Sequence, residues 1–454
     1  MLTPPPLLGR IWQPAGFLQH VQSVLTELQG RPDRRLVLRL RLAIPENTSA
    51  ADSSTFPRLA WQAPHGLQRE ALGVALACPL RELRWLDDAP HPDDLAILQT
   101  FLADASLLTN AVLCCGFPRL VQGQVVVPLD LWVPRLWLHK SPDGVAEVTI
   151  AVHGQGDAAE LTNDIAELLA RLQPSQAVLH PLVAPKLGKI PQSLKHVIQA
   201  LQRSEAEKAV WSQEFPLQGE ARRSALALAL AQKRPEAHVV DVQLADGRNF
   251  LCATPEELVR LTPDRVKTMA LAGTGSAAQL QHMEPRLDRE HGLVERFLQQ
   301  KLSDLGVTDL HRQTRVAPAG PLLHRQTLLE GQRPPGLDAL TAVLTLHPTP
   351  ALLGSPRLNA LELLEKTETP RRLYGGTVAL LACDGTGLGE AAVLLRGVEA
   401  HEGQWHLRVG AGLVAQSNVA DEYAEIAAKM RAVADSVGGK VEPVGDPAAA
   451  AAGE

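Results

Sequence analysis

The sequence lacks the features that mark secreted, zinc-stabilised or nucleic-acid-binding chains. Its five cysteines form no CxxC pair and no cluster with histidine, which argues against a disulfide framework and a structural zinc site. The formal net charge is −6 with both signs mixed along the chain, so no basic face indicates nucleic acid. Scattered thiols fit a reducing compartment, and we therefore expect a cytoplasmic protein.

Long hydrophobic runs are missing as well. No apolar run approaches the roughly 18–20 residues that span a bilayer. The first segment, MLTPPPLLGR, has no charged region followed by an apolar core. We expect neither a membrane span nor a secretion signal. Walker, nucleophile-elbow and HExxH patterns are also absent, so the sequence shows no recognisable P-loop, no α/β-hydrolase serine and no HExxH zinc site.

The composition that remains is that of an ordinary globular protein. Apolar residues make up 45% and charged residues 21% of 454 positions, enough for one large domain or a few smaller ones. We expect an N-terminal α/β region, residues 1–190, in the same globular unit as a catalytic region, residues 191–440. The Ala-, Pro- and Gly-rich tail, residues 441–454, is expected to be disordered.

Local patterns predict a mixture of strands and helices. Alternating apolar residues predict a strand at 36–42, and SPDG supplies a turn between strands at 132–139 and 145–152. Residues 174–191, rich in proline, are predicted to be a connecting loop. Further strands are predicted at 250–253, 266–272, 376–382, 391–395 and 405–409. Helices are predicted at 157–172, 192–202, 222–232, 288–305, 357–364 and 419–436.

The order of these elements indicates the fold class. Strands and helices do not alternate strictly, so a doubly wound parallel sheet is disfavoured. We expect an α+β fold with large, mainly antiparallel sheets and packed helices. The glycine-rich segment at 385–389 lies between two predicted strands, so no helix N-terminus follows it to hold a phosphate. It is predicted to be a hairpin loop.

The last predicted helix carries acidic and basic side chains on one face. Asn418 stands at the N-cap position, with Asp421 placed to complete a capping box. Glu422, Glu425 and Lys429 follow at i, i+3 and i+7, which brings them together at about 100° per residue. A surface Glu–Lys pair explains this pattern in the ordinary way. Two carboxylates on one face are also what Mg²⁺ needs.

Several segments before this helix have compositions unusual for scaffolding. A second acidic helix contains Glu290 and His291, and glycine clusters at strand ends let backbone N–H groups approach an anion. Each segment alone fits a turn or a strand end. The segments are EKAVWSQ (207–213), TPEEL (254–258), LAGTG (271–275), LHPTPALLGSP (346–356), LYGGTV (373–378) and RVGAGL (408–413).

In this order and spacing, the segments resemble the chorismate-utilising enzymes. The resemblance covers about residues 200–435, and this family contains isochorismate, salicylate, anthranilate and aminodeoxychorismate synthases. LAGT together with LHPTPALLG is most similar to isochorismate synthases. The resemblance implies the chorismate-binding fold of anthranilate synthase component I, a magnesium cofactor and chorismate as substrate.

The resemblance also implies roles for individual residues. Lys208 would activate water, and Glu256 of TPEEL would protonate the leaving hydroxyl. Glu290, Glu425 and Glu422 would form the magnesium site. The residues that would contact the substrate or line its pocket are Gly273, Thr274, His324, Thr349, Tyr374, Arg396, Gly410 and Lys429.

These residue types suit the implied conversion of chorismate to isochorismate. Chorismate is a dianion, so its site needs a metal and a cation, and arginine offers a bidentate fork for a carboxylate. Water must add at ring C2 while the C4 hydroxyl leaves, which calls for a base and an acid on opposite sides. Lys208 would need a lowered pKa and Glu256 a raised one.

Three alternatives stay open at this point. A salicylate synthase would also eliminate pyruvate, an aminating enzyme would take ammonia from a glutaminase partner, and a non-catalytic protein would keep only the scaffold. Lys208 and the HPTP segment favour water addition, so no obligatory glutaminase partner is expected. Gly275, where relatives commonly have arginine, puts substrate contacts in doubt. The lack of a fused carrier domain favours menaquinone over siderophore biosynthesis.

Overall fold

Eight helices and 28 strands make up the described part of this computed structural model. The described residues are 11–12, 14–27, 35–43, 48–50, 57–64, 68–86, 88–105, 110–140, 145–153, 162–163, 165–166, 172–174, 182–185, 192–275, 280, 284–319 and 322–441. The helices are α1 (Pro14–Glu27), α2 (Pro92–Asp104), α3 (Gln192–Gln202), α4 (Arg223–Lys233), α5 (Pro285–Asp304), α6 (Ala339–Leu346), α7 (Arg357–Glu365) and α8 (Val419–Ser436).

The strands run through the whole described chain. The first fourteen are β1 (Ile11–Trp12), β2 (Arg35–Ala43), β3 (Thr48–Ala50), β4 (Arg58–Gln62), β5 (Gln68–Leu72), β6 (Leu76–Ala77), β7 (Glu82–Leu86), β8 (Ala89–Pro90), β9 (Ala111–Cys115), β10 (Arg119–Val121), β11 (Gln124–Val133), β12 (Leu136–Lys140), β13 (Val145–His153) and β14 (Leu172–Pro174). The others are β15 (Val183–Ala184), β16 (Lys208–Leu217), β17 (His238–Gln243), β18 (Asn249–Thr254), β19 (Glu257–Leu261), β20 (Arg265–Gly275), β21 (Thr308–Ala319), β22 (Leu322–Gln332), β23 (Gly354–Ser355), β24 (Thr377–Leu381), β25 (Gly389–Val393), β26 (Gly397–His401), β27 (Gln404–Val414) and β28 (Lys440–Val441).

Two large sheets contain most of these strands. The first follows the order β1-β2-β13-β12-β5-β4-β17-β18-β26-β27-β16-β23, and the second β21-β22-β20-β19-β25-β24-β9-β11-β7-β8, with β6 and β10 added on β11. Within both sheets only β1 and β2 pair in parallel. Strands from the first and second halves of the chain are neighbours, since β4 pairs with β17 and β9 pairs with β24.

The two sheets pack face to face over a shared apolar core. Leu59, Trp61 and Phe250 of the first sheet belong to the same buried cluster as Cys114 and Val378 of the second. A larger cluster includes the helices, among them α3 and α8, which contact β27, and α5, which contacts β20. Burying apolar side chains contributes about 25 cal/mol per Å², so these two clusters supply most of the stabilisation.

The end of β27 shows how the sequence sets up the site. Leu407, Val409, Ala411 and Leu413 are all buried in the large apolar cluster. Side chains alternate across a strand, so the intervening residues Arg408, Gly410 and Gly412 face the other side. That opposite side of β27 forms part of the pocket described below.

Most predicted elements are present, with shifted ends. The α+β class with antiparallel sheets is confirmed, and 385–389 is the hairpin loop between β24 and β25. The strand predicted at 132–139 is wrong as one element, because Pro134 lacks an N–H and separates β11 from β12. The helix predicted at 288–305 begins earlier, with Pro285 in its first turn. Most of the predicted helix at 157–172 and nearly all of the tail lie outside the described residues.

All five cysteines are buried and unpaired. Burial raises the pKa of Cys115 and of Cys252, which keeps both thiols protonated at neutral pH. Across the described ranges, no helix is both long and apolar enough to cross a membrane.

Candidate active site

One pocket gathers the candidate residues from distant parts of the chain. Lys208 is the first residue of β16, Glu256 lies between β18 and β19, and Glu290 sits in the second turn of α5. Arg396 lies between β25 and β26, and α8 contributes Glu425 and Lys429. The pocket is lined by Pro255, Glu256, Leu271, Ala272, Gly273, Thr274, Glu290, His324, Tyr374, Leu395, Arg396, Arg408, Val409, Gly410, Glu425 and Lys429.

The proposed base is fully buried beside a carboxylate. Lys208 is 0% exposed, and its Nζ lies 3.1 Å from Oε1 of Glu290. The same Nζ has no hydrogen bond of good geometry. The ion pair with Glu290 is therefore the polar contact that fixes the position of this buried amine.

The proposed acid occupies an environment that keeps its carboxyl protonated. Glu256 is 3% exposed, and burial raises its pKa to about 8. The positive charges of Lys208 and Arg396 act in the opposite direction but are outweighed. The backbone is fixed on both sides, because Glu256 N–H donates to Thr254 Oγ1 at 3.2 Å and Val393 N–H donates to the Glu256 carbonyl at 3.1 Å. A neutral acid at pH 7 can donate a proton.

Three glutamates, Glu290, Glu422 and Glu425, lie near one another at one side of the pocket, and each forms an ion pair. Glu422 is 1% exposed and accepts from Arg286 Nη1 at 2.8 Å and Ser417 Oγ at 2.7 Å, both on Oε1. Its Oε2 is buried without a hydrogen-bond partner. Burial, then the charges of Glu425 and Glu290, raise the pKa of Glu422 to about 8. Neighbouring carboxyl groups that raise one another's pKa, with one oxygen left unpaired, offer the oxygen donors that a hard divalent cation would use.

The carboxylates are nevertheless held apart by their own cations. Lys429 Nζ lies 2.7 Å from Glu425 Oε1 and donates to the Gly410 carbonyl at 2.8 Å. Glu290, Glu425 and Lys429 line the pocket, of which about 80 Å³ is open to water, and the Lys208–Glu290 and Arg286–Glu422 pairs lie around it. This volume is below the roughly 300 Å³ at which small-molecule sites begin. A small-molecule ligand would fit only if some of these ion pairs rearranged.

Arg396 lines the pocket and is held there by a hydrogen bond to a neutral histidine, His324. Its backbone has a φ of 59°, and burial lowers the pKa of its guanidinium to about 10. Its Nη2 donates to His324 Nε2 at 2.8 Å, so the proton of His324 is on Nδ1, which donates to Thr274 Oγ1 at 3.1 Å. Burial and the charge of Arg396 hold the pKa of His324 well below its usual value. Nη1 of Arg396 has no hydrogen-bond partner and is free for an anion.

His291 holds the helix that carries Glu290. Its Nδ1 donates to the Ala272 carbonyl at 3.2 Å, and its Nε2 accepts from Thr327 Oγ1 at 2.7 Å. Burial lowers the pKa of His291 to about 4, so it remains neutral. These bonds tie α5 to β20 and β22, which fixes the position of the neighbouring glutamate.

Gly412 is a site residue that sequence reasoning did not single out. A Cβ at this position would lie 2.9 Å from Glu290 Cδ and 3.1 Å from Lys208 Cε, and it would overlap Oε1 of Glu290. Only glycine therefore lets Lys208 and Glu290 meet over β27. The RVGAGL segment contains Gly412, but the family resemblance pointed to Gly410 instead.

Three predicted residues do not line the pocket: Lys208, Thr349 and Glu422. Lys208 is fully buried beside Glu290, which does line the pocket. Thr349 is buried beyond the end of α6, where its Oγ1 accepts from the Ala351 N–H at 3.2 Å and shapes a turn. Glu422 lies beneath the pocket against Arg286. Arg408, which sequence reasoning missed, does line the pocket, and its buried Nε has no hydrogen-bond partner.

A different group of side chains comes closest to a metal-ligand arrangement. Among the described residues, Glu214, His401 and His406 place one ligand atom each within 4.8 Å of one another. The two imidazoles stack at 3.6 Å with an 8° angle between their planes. Lone pairs of parallel stacked rings do not converge on one ion, so this arrangement does not suit a shared metal.

Comparison with known proteins places the chain in a family. The family model described as chorismate binding enzyme matches residues 122–438, more than half of the chain. The protein therefore belongs to the chorismate-binding enzyme family.

The similar curated proteins differ among themselves in activity. The chain is 32% identical to isochorismate synthase EntC of Escherichia coli (strain K12) over 214 residues, 44% of this chain and 54% of EntC. It is also 32% identical to anthranilate synthase component 1 of Streptomyces coelicolor over 226 residues, 46% of this chain and 43% of that protein. The chain spans about half the length of these relatives.

Solved structures share the fold over most of the chain. MenF, the menaquinone-specific isochorismate synthase from Escherichia coli, superposes with a TM-score of 0.69 at 20% identity, covering 93% of this chain and 99% of MenF. Anthranilate synthase component I from Streptococcus pneumoniae TIGR4 gives a TM-score of 0.59 at 17% identity, covering 80% and 92%. The fold is thus the one expected from the resemblance.

Proposed function

We propose that this protein is a magnesium-dependent isochorismate synthase that converts chorismate to isochorismate. The observation that carries the proposal is a pair of buried groups: the carboxyl of Glu256, whose pKa is raised to about 8, lies near enough to the amine of Lys208 for that charge to act on it. Arg396, with a free Nη1 in the same pocket, supplies a cation for a substrate carboxylate.

The proposed reaction balances without an oxidant or reductant. Lys208, as the free amine, takes a proton from water while the water oxygen bonds to ring C2. The ring double bonds shift, and Glu256 gives its proton to the C4 hydroxyl, which leaves as water. Each well-placed acid or base contributes about 10²–10⁴-fold.

The acidic residues fit the magnesium that this reaction would use. Glu290 and Glu425 would bind the ion from two helices, with Glu422 beneath them, and the unpaired Oε2 and raised pKa of Glu422 support this fit. When bound, magnesium would neutralise the substrate's ring carboxylate and polarise the ring. Tyr374, Gly410 and the Thr274–His324–Arg396 chain would orient the second carboxylate.

Amination is the second candidate, because anthranilate synthase component 1 is as similar in sequence as EntC. Amination and isochorismate formation both begin when a nucleophile attacks ring C2. Because water needs a base to remove its proton, the buried Lys208 favours water over ammonia as that nucleophile.

A product assay tests these alternatives directly. Purified protein is incubated with chorismate and Mg²⁺, with and without ammonium, and the products are separated by chromatography. We expect isochorismate alone. Salicylate fluorescence with equimolar pyruvate would mean salicylate synthase, an ammonium-dependent aminated product would mean the second candidate, and unchanged chorismate would contradict both.

A further inference from the structure

A second cavity lies beside the active-site pocket and is much larger. Its volume is about 650 Å³, within the range of about 300–1,000 Å³ typical of small-molecule sites. It is lined by residues from β10, α7 and the segment 368–372, none of which belongs to the proposed catalytic set. The cavity is therefore large enough for a ligand of its own.

The floor of this cavity is apolar. Phe117, Pro128, Leu361 and Leu364 contribute hydrocarbon surface. The ring of Phe117 is held from one side by the guanidinium of Arg371, whose Cζ lies 4.1 Å from the ring centroid. A flat hydrophobic group would gain contact with this surface without displacing a polar partner.

The rim of the cavity is rich in arginine. Five arginines line it, and four of them form ion pairs with carboxylates, which leaves Arg372 as the cation that could bind an added anion. Arg372 is exposed, and its side chain forms no hydrogen bond or ion pair among the described residues, although its charge is felt at Glu399 and its carbonyl accepts from the Phe117 N–H at 3.2 Å. The side chains of Arg81 and Arg119 are 55% and 54% exposed, with ion pairs to Asp130 and Glu82. Guanidinium groups in such a position bind carboxylates through paired N–H donors.

The two cavities share a wall, which we call the 368–374 segment. Thr369 and Pro370 line the second cavity and accept hydrogen bonds from Arg408 Nη2 at 2.7 Å and 3.1 Å. Arg408 itself lines the active-site pocket. At the end of the segment, Tyr374 also lines that pocket, and its N–H donates to the Arg371 carbonyl at 2.9 Å. A ligand on one side of this segment therefore acts on residues of the other side.

We propose that this second cavity is an effector site for a small aromatic carboxylate. The carboxylate is bound by Arg372, the ring lies on Phe117 and its neighbours, and binding is transmitted to the active-site pocket through the 368–374 segment. This site goes beyond the proposed function, and its occupancy can be measured whatever reaction the protein catalyses.

Binding is tested on the full chain by calorimetric titration with 2-naphthoate. We expect one saturable site in the wild type, at least tenfold weaker binding in Arg372→Glu, and near wild-type binding in Arg372→Lys. Arg431→Glu, an exposed arginine of α8 that lines neither cavity, controls for charge reversal and should bind as the wild type. Circular dichroism checks that each variant is folded.

A further variant locates the ligand. Arg396→Ala removes a cation from the active-site pocket and should leave 2-naphthoate binding unchanged. If Arg396→Ala abolishes binding, or Arg372→Glu binds as tightly as the wild type, the second cavity is not the site and the proposal is wrong.

Coupling is tested by turnover of chorismate. Saturating 2-naphthoate should lower kcat/KM in the wild type and not in Arg372→Glu, because displacement of the 368–374 segment loosens Arg408 and Tyr374. Binding without any change in kcat/KM would overturn the effector role. A protein inactive on chorismate would count against the proposed function, and the titration would still decide whether the cavity binds.

Discussion

At the scale of single residues, the position of Glu256 decides its chemistry. A glutamate at the surface is ionised at neutral pH, whereas burial raises the pKa of this one to about 8. The TPEEL sequence contains two adjacent glutamates that composition cannot distinguish. The structure separates them: the Glu257 carboxylate pairs with Arg260, and Glu256 lines the pocket.

The raised pKa of Glu256 predicts the alkaline side of the pH profile. The acid form is present below pH 8 and is lost as the pH rises through about 8, so kcat should fall above that pH. Glu256→Gln should lower kcat by about 10²–10⁴-fold and abolish this limb. Glu257→Gln is the matched control and should keep the wild-type pH profile. The measurement is kcat as a function of pH for the wild type and the two variants.

Lys208 should be indispensable to turnover. Lys208→Ala removes the base and should lower kcat by about 10²–10⁴-fold in a chorismate assay. Lys267→Ala, at a side chain that is 47% exposed on β20, controls for loss of a lysine and should leave kcat within twofold of wild type. Equal activity of Lys208→Ala and the wild type would contradict the assigned role.

Position 412 should accept no residue larger than glycine, because Lys208 and Glu290 meet there. Gly412→Ala places a methyl group against the Glu290 carboxylate and should reduce kcat/KM at least tenfold, since both residues must move. In Gly292→Ala, the added Cβ would meet only the flexible end of Arg296 at 3.2 Å, so this helical control should keep its activity. Steady-state kinetics on the two variants provide the comparison.

At the scale of elements, local sequence signals were sufficient for helices with marked ends. The helix predicted at 419–436 is α8 as observed, because Asn418 caps it: its Oδ1 accepts from the N–H groups of Ala420 at 2.8 Å and Asp421 at 3.3 Å. The other half of the predicted capping box is not seen among the described residues. The long hairpin of β21 and β22 was not predicted. Most residues of β21 are exposed, so its sequence shows no alternation of apolar and polar residues.

The Asn418 cap should matter for stability. Asn418→Ala leaves two N–H groups of α8 unbound and should lower the free energy of unfolding by about 1 kcal/mol. Asn418→Asp keeps an acceptor and adds a charge that the helix N-terminus favours, so it should unfold at or above the wild-type denaturant concentration. Urea titration of the three proteins distinguishes the outcomes; identical midpoints would contradict the cap's contribution.

At the scale of the whole molecule, the sequence could predict which segments form the site but not their geometry. Motif order was enough for the resemblance and for most lining residues. The Glu425–Lys429 pair was predictable, because the two residues are one turn apart on α8. Motif order could not predict that Glu290 pairs with Lys208, or that Thr349 faces away, because both depend on how α5, β16 and the loop after α6 pack. Long-range packing leaves no local pattern in the chain.

Magnesium binding should stabilise the whole protein. A ligand that binds only the folded state adds about 2.7 kcal/mol at 100 times its Kd, so Mg²⁺ should raise Tm. Glu290→Gln and Glu425→Gln should each remove this increase. Glu362→Gln, at an exposed position of α7, should retain it. A thermal scan with and without Mg²⁺ measures the effect, and unchanged increases in both site variants would exclude these glutamates as ligands.

The pairing of β4 with β17 and of β9 with β24 has a consequence for how the polypeptide is made. During translation, the early strands leave the ribosome long before their partners are synthesised, and their edges stay unsatisfied until nearly all of the chain has emerged. Such non-local pairing slows folding and prolongs the exposure of aggregation-prone edges. Biogenesis of this protein is therefore expected to depend on chaperones that shield nascent strands, more than its final stability would suggest.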